Sequence, residues 1–302
     1  MTDYLVVGHV TRDIVDDQER PGGTVLYAGL LAARWGLNVA AVTSAEPGWL
    51  AAVYGQAPEL APRGRAGKVR WAVRAAPRTT IFENIYTAAG RRQRLLARAE
   101  TLGPGDVPAG WRPRILHLGP VAGEVVPAPE WARLGARFRG CTAQGWLRRF
   151  GPGGQVESRW RPELEAVLGL FDAVVLSAED LGPDLEVVER LASRVRYLVL
   201  TRAEAGVDLW VDGRHHRVPA FVRPAVDPTG AGDVFAAAFF IGLDAGNDPL
   251  AAARTAAVAA AIKVGRPGLA GVPARQAVEA GLSAALKSAE SPGGRGDGHG
   301  RN

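Results

Sequence analysis

The chain has 302 residues, 47% apolar and 22% charged, enough for a globular core of one or two domains. Its single cysteine, Cys141, excludes an intrachain disulfide and a cysteine metal cluster, and the five histidines (His9, His117, His215, His216 and His299) show no ligand spacing. The formal charge is +5 and is concentrated: residues 63–98 hold ten basic side chains against one acid, Glu83, so the remainder is net negative.

Residues 4–7 (YLVV), closed by Gly8, read as a buried strand and turn. The N-terminus runs into this strand without signal-peptide anatomy. The longest apolar stretches, 234–243 and 255–262, are too short for a membrane span, so a cytoplasmic protein is expected. Gly22 and Gly23 precede a helical pattern over 24–35, and 39–42 (VAAV) reads as the next strand, completing a parallel strand–helix–strand unit. Residues 79–99 read as a hairpin broken at Ala89-Gly90. Short buried strands follow at 115–118 and 171–176, then a helix over 180–194 and a strand at 197–200. Residues 207–211 and 215–218, joined by Asp212-Gly213, predict a second hairpin. Helices are expected at 231–243, 249–264 and 273–286, and from Ser291 onward the composition supports no core. Strands alternating with helices predict a mostly parallel sheet covered on both faces, with ligands at the carboxyl ends of its strands.

The stretch Asp227-Pro228-Thr229-Gly230-Ala231-Gly232-Asp233 opens an apolar helix with small residues. The first amides of a helix lack internal partners and carry the positive end of its dipole, which together bind anions, phosphate above all. A carboxylate in the first turn is held as an anion by the same dipole and can take a proton from a hydroxyl. An anion hole beside a base is what phosphoryl transfer to an alcohol requires. The bland reading is that the glycines only turn the chain and Asp233 only caps the helix.

This heptapeptide resembles the C-terminal signature D-[TP]-x-G-A-G-D of the ribokinase-like (PfkB) carbohydrate kinases. The likeness extends to 8–13 (GHVTRD), to the Gly22-Gly23 pair and to 254–268 (RTAAVAAAIKVGRPG), which is similar to the helix and loop beside the adenine. The resemblance implies a three-layer α/β/α sandwich with a mostly parallel central sheet and a reduced β lid. It covers residues 1–286 as one kinase domain, with a lid hairpin at about 79–98 and a disordered tail at 287–302. It implies Asp233 as catalytic base and Gly230, Ala231 and Gly232 as the anion hole. Asp227 would shape a monovalent-cation loop, with Asp227 and Asp180 as metal-side residues. Asp13, Gly22, Gly23 and Tyr27 would line the acceptor pocket, Tyr27 standing where relatives often carry asparagine. Gln144, in the CTAQG turn, is a further acceptor candidate, equally readable as a turn-stabilising amide.

On the nucleotide side the resemblance points to Thr201 and Gly206, in a TRAEAG loop where Ala203 replaces a family glycine. It also points to Ser177 and to Lys263. Ser177 to Asp180 (SAED) stands where relatives have N-x-x-E, which orders water around magnesium; Asp180 as a helix cap is the competing reading. The asparagine common beside the adenine falls on Ala257. Only eight residues separate Asp13 from Gly22, so one part of the lid is expected to be missing. The expected cofactors are ATP and Mg2+, with K+ as a further cation. The expected acceptor is a small sugar, polyol or nucleoside, by likeness to an inositol-kinase-like or nucleoside-kinase-like subgroup. A monomer or weak homodimer is expected.

Two other classes remain open. One is a catalytically weak sugar- or nucleotide-binding regulatory protein on the same fold, suggested by Ala203, Ala257 and the thin lid. The other is a nucleic-acid-binding module built on the basic 63–98 segment, against which stands the plainer reading of a solvated arginine face. No P-loop and no G-x-G-x-x-G follows the first strand.

Overall fold

A computed structural model describes residues 2–62, 69–87, 90–182, 186–221 and 223–290. The chain begins with β1 (Thr2–Val7), β2 (Thr11–Val15), β3 (Gln18–Gly22), α1 (Thr24–Arg34), β4 (Val39–Ala45) and α2 (Trp49–Gln56). It continues through β5 (Val69–Ala75), β6 (Thr80–Thr87), β7 (Gly90–Ala97), β8 (Pro113–Leu118) and β9 (Phe138–Thr142). Then come β10 (Arg148–Phe150), β11 (Val156–Ser158), α3 (Leu164–Leu168), β12 (Ala173–Ser177), α4 (Ala178–Leu181), α5 (Glu186–Ala192) and β13 (Tyr197–Thr201). The last third is β14 (Val207–Val211), β15 (Arg214–Val218), α6 (Ala231–Asp244), α7 (Pro249–Val264) and α8 (Arg275–Glu290).

Nine strands form one sheet in the order β15-β14-β13-β12-β9-β8-β1-β4-β5. Pairing is parallel from β13 to β5, and β14 and β15 add antiparallel through the Asp212-Gly213 turn. The central strands are apolar on both faces because helices and loops cover both: every residue of β4 is buried. One face packs α1, α6 and α7 around Tyr4, Leu30, Phe239 and Phe240; the other buries Leu116, Trp131, Trp146 and Leu198. This is the expected three-layer α/β/α arrangement. No helix among the described residues is long and apolar enough to cross a membrane.

Four strands form a second sheet, β3-β2-β6-β7. The segment expected to lack lid structure is therefore a hairpin. Asp16 and Asp17 both take positive φ, giving a tight two-residue turn, and β2 then pairs parallel with β6. Asp13 consequently sits within a strand of this sheet. Its hairpin β6–β7 matches the expected 79–98, and the turn at Ala89 lies outside the described residues. The helix expected over 180–194 is divided into α4 and α5, and α8 runs to Glu290, into the stretch assigned to the tail; 291–302 lie outside the described residues.

Candidate active site

Because the sheet is parallel, β9, β12 and β13 all end on the same side, and the second sheet stands over that side. Between them lies one cleft of about 880 Å3. It is lined by Asp13 and Gly23, by Gln144, Ser177 and Asp180 at strand ends, by Thr201 and Gly206, and by Thr229 to Asp233. Residues scattered over more than 200 positions are thus brought together, and Tyr27 reaches the wall as well.

The start of α6 is built as its sequence requires. Gly230 takes φ +75, and a Cβ there would lie 2.3 Å from the Tyr27 ring, so only glycine fits. Ala231 N–H donates to Pro228 O at 3.1 Å, which removes it from the expected anion-hole donors: it closes the turn. Among the described residues the amides of Gly230, Gly232 and Asp233 have no backbone acceptor. Gly232 faces open space.

Asp233 is half-buried, and the Thr24 hydroxyl at the start of α1 donates to it. Dehydration by its surroundings pushes its pKa up to about 6. Thr24 and Arg148 pull it down, while the Asp13 and Asp180 carboxylates push it further up. The helix dipole was expected to keep this group a strong acid; burial outweighs it. At pH 7 the carboxyl is still about nine-tenths ionised, and a pKa near the working pH suits a general base.

The side of the cleft formed by the second sheet is polar. Asp13 accepts from Thr11 Oγ1 at 2.8 Å, and a Cβ on Gly22 would fall 2.1 Å from Asp13 Oδ2, so Gly22 makes room for that carboxylate rather than lining the cleft. Asn84 and Gln93 face the cleft from β6 and β7, joined by a 2.9 Å bond from Gln93 Nε2 to Asn84 Oδ1. Gln93 Oε1 is buried and unpartnered among the described residues. Arg148 enters from β10, donates to Val121 O at 2.9 Å and lies 4.0 Å from Asp180. Sequence reading missed Thr24, Asn84, Gln93 and Arg148. No local motif marks them, because strand register alone delivers them.

Three assignments need correcting. Tyr27 is 1% exposed, its ring packed beneath Gly230, so it is the floor of the anion turn and not an open platform for a sugar. Lys263 has no exposed surface and does not line the cleft; its ammonium is bound to Asp227 O and Arg266 O. Asp227 is also outside the cleft. Its carboxylate accepts from Thr229 N at 2.9 Å and Gly268 N at 2.7 Å, so it ties two loops together and has no free oxygen for a divalent metal. Burial pushes the Asp227 carboxyl up, but these amides, the Thr229 hydroxyl and Lys263 leave it below the usual carboxylate value.

Ser177 caps α4 by accepting from Glu179 N at 3.1 Å, so the cap is Ser177 and not Asp180. Asp180 instead receives Gln144 Nε2 at 3.3 Å. Glu179 and Asp180 offer carboxylates to the cleft, yet no cluster of three metal-binding side chains exists among the described residues. Such a sparse oxygen set fits magnesium that arrives with phosphates and keeps its waters. Thr201 donates to Leu176 O at 3.2 Å, and Gly206 takes φ +91 beside it. His9 is satisfied by Glu100 O and Thr80 Oγ1, and Cys141 is a buried core residue.

Residues 155–275, which hold the Asp227–Asp233 turn, match the model of the pfkB family carbohydrate kinases. This segment is similar to the PfkB family. Ribokinase of Bacillus subtilis (strain 168) is 39% identical over 109 residues, 35% of this chain and 36% of that protein. The bifunctional protein HldE of Geotalea uraniireducens (strain Rf4) is 41% identical over 162 residues, 52% of this chain and 29% of that protein. The PfkB-like chain thus matches only about a third of these relatives' length. Among solved structures, a pyrophosphate-dependent kinase of the ribokinase family, complexed with a pyrophosphate analog and myo-inositol, superposes with TM-score 0.75. That pair is 22% identical, over 92% of this chain and 99% of the other. The nucleoside kinase of Methanocaldococcus jannaschii gives TM-score 0.71 at 16% identity, over 94% and 99%. The fold is therefore that of the ribokinase family.

Proposed function

We propose that this chain is a phosphotransferase that moves the γ-phosphoryl group of ATP to a hydroxyl of a small sugar, polyol or nucleoside. The observation that carries this reading is the half-buried Asp233 carboxylate, poised near neutrality beside the unpaired Gly232 and Asp233 amides in one deep cleft. Asp13, Asn84 and Gln93 on the second sheet hold acceptor hydroxyls. Asp233 removes the proton from the attacking hydroxyl, and the amides at the start of α6 take up negative charge on the transferred group. Ser177, Glu179 and Asp180 stand on the donor side, where magnesium, when bound with the nucleotide, neutralises phosphate charge.

The donor end favours a second reading for the donor alone. One side of its wall is Ala257, Ala260, Ala261 and Val264, side chains with no amide to recognise a base. A pyrophosphate donor, as in the structural relative above, needs no such contact. The test is a screen of inositols, pentoses, hexoses and nucleosides against ATP, GTP and pyrophosphate, reading nucleoside diphosphate or orthophosphate release, with Asp233→Asn as control. If the wild type phosphorylates nothing in the panel, or the variant matches it, the kinase reading is wrong and a binding protein without turnover remains.

A further inference from the structure

The resemblance implied a monovalent cation near Asp227, and the residues present do not fit one. The loop after α7 folds back so that Lys263 Nζ lies 3.0 Å from Asp227 O, 3.2 Å from Arg266 O and 3.6 Å from Asp227 Oδ2. These are oxygens of the kind that bind a cation, drawn from two loop segments. The face of the Tyr27 ring lies 5.5 Å away and closes another side. Gly271 seals the cage: a Cβ there would lie 2.8 Å from Lys263 O and 2.9 Å from its Cδ. Lys263 itself has no exposed surface. A second cation in this space would sit within a few ångströms of the ammonium, and unscreened like charges at that range repel strongly.

We propose that the Lys263 ammonium is the resident cation of this chain, taking the place of potassium behind the anion turn. It reaches the functional turn along two routes. Asp227, whose carbonyl it binds, accepts from the Thr229 amide. Tyr27, on which it rests, is the floor against which Gly230 packs. Val264 O, one residue on, accepts from both Val226 N and Asp227 N, so the end of α7 and the start of the turn move as one piece. The side chain also lies in the last turn of α7, where the helix dipole favours a positive charge.

The turnover arm of the test rests on the kinase reading above; the melting arm does not, so the two can fail separately. In the wild type, melting temperature and turnover are measured in matched potassium, sodium and choline chloride, and both are the same in all three. Lys263→Ala opens the cage and leaves the Asp227 carboxylate without its counter-charge, held only by the Thr229 and Gly268 amides. Its melting temperature falls by about 5 °C or more in choline. Potassium or ammonium then restores stability and turnover together. Lys263→Met fills the cage with an uncharged chain and is not rescued by either ion. Wild-type melting or activity that rises with potassium over choline overturns the proposal, and so does a Lys263→Ala protein indifferent to monovalent ions. The wild-type comparison decides the matter even where the variants do not fold.

Discussion

At Asp233 two demands conflict. Its raised pKa means that folding favours the protonated form: the stability this group supplies is complete below its unfolded value of 3.8 and is lost as pH rises through about 6. At pH 7 the ionised carboxylate therefore costs the fold about 1–2 kcal/mol after discounting for its partial exposure. Asp233→Asn should melt a few degrees above the wild type at pH 7, a gap that closes toward pH 4, while kcat falls by about 10²–10⁴. A variant that loses activity and stability together would mean that Asp233 is a structural cap. Arg148 supplies the counterweight. Removing it as Arg148→Met should move the acid limb of kcat/KM upward from about pH 6, because the charged neighbours that remain, Asp13 and Asp180, both oppose ionisation and only the Thr24 hydrogen bond still favours it. An unmoved limb would show that the Thr24 hydrogen bond, and not Arg148, keeps the Asp233 carboxyl ionised. Asp233 and its glycines were legible in the sequence because seven consecutive residues carry them. Arg148 was not, since its distance from Asp233 is set by where β10 leaves the body of the protein.

Among the elements, the loop after β13 carries the clearest local strain. Ala203 adopts φ +46, a region that costs an alanine about 1–2 kcal/mol, at the position where the family signature has glycine. Among the described residues the other non-glycine positions with positive φ are Asp16, Asp17 and Asp212, which tolerate it better. Ala203→Gly should stabilise the protein by about 0.5–1 kcal/mol, the greater freedom of glycine in the unfolded chain offsetting part of the gain. Urea denaturation reads this directly, and a loss of stability would show that the alanine methyl packs usefully. Helical periodicity made α6 and α7 legible almost to the residue. The hairpin β2–β3 escaped because its turn is Asp16-Asp17, without the glycine or asparagine that usually marks one, and because Pro21 interrupts the second strand. Strand β5 (VRWAVRA) escaped because its arginines read as part of a basic run.

The molecule as a whole is two large sheets of unequal attachment, with the short β10–β11 pair beside them. The nine-stranded body has a broad core on each face, whereas the second sheet meets the body through Phe82, Val121 and Ala122, with Leu95, Phe150 and Val156 around them. Phe82→Ala should therefore loosen the second sheet before the body. Backbone hydrogen exchange in β2 and β6 should quicken, and the acceptor KM should rise as Asp13 loses its fixed place, while exchange in β1 and β8 stays slow. Uniform acceleration would mean that the two sheets unfold as one unit. The parallel character of the sheet was legible from alternating strands and helices; the strand order was not, because nothing local states which strand lies beside which. The sheet order also sets several arginines at strand margins. The outermost strands β5 and β15 carry Arg70 and Arg74, and Arg214 and Arg217, and the second sheet ends at β3 with Arg20 and Pro21, while its other end, β7, is already bridged at Arg94 and Leu95 to Gln155 and Gly154. Unpaired strand margins are where a stranger's chain would zip on, and bulky positive side chains or a proline at those margins deny it a template. Trading these arginines for threonine or valine would leave the cleft untouched and invite the protein to polymerise.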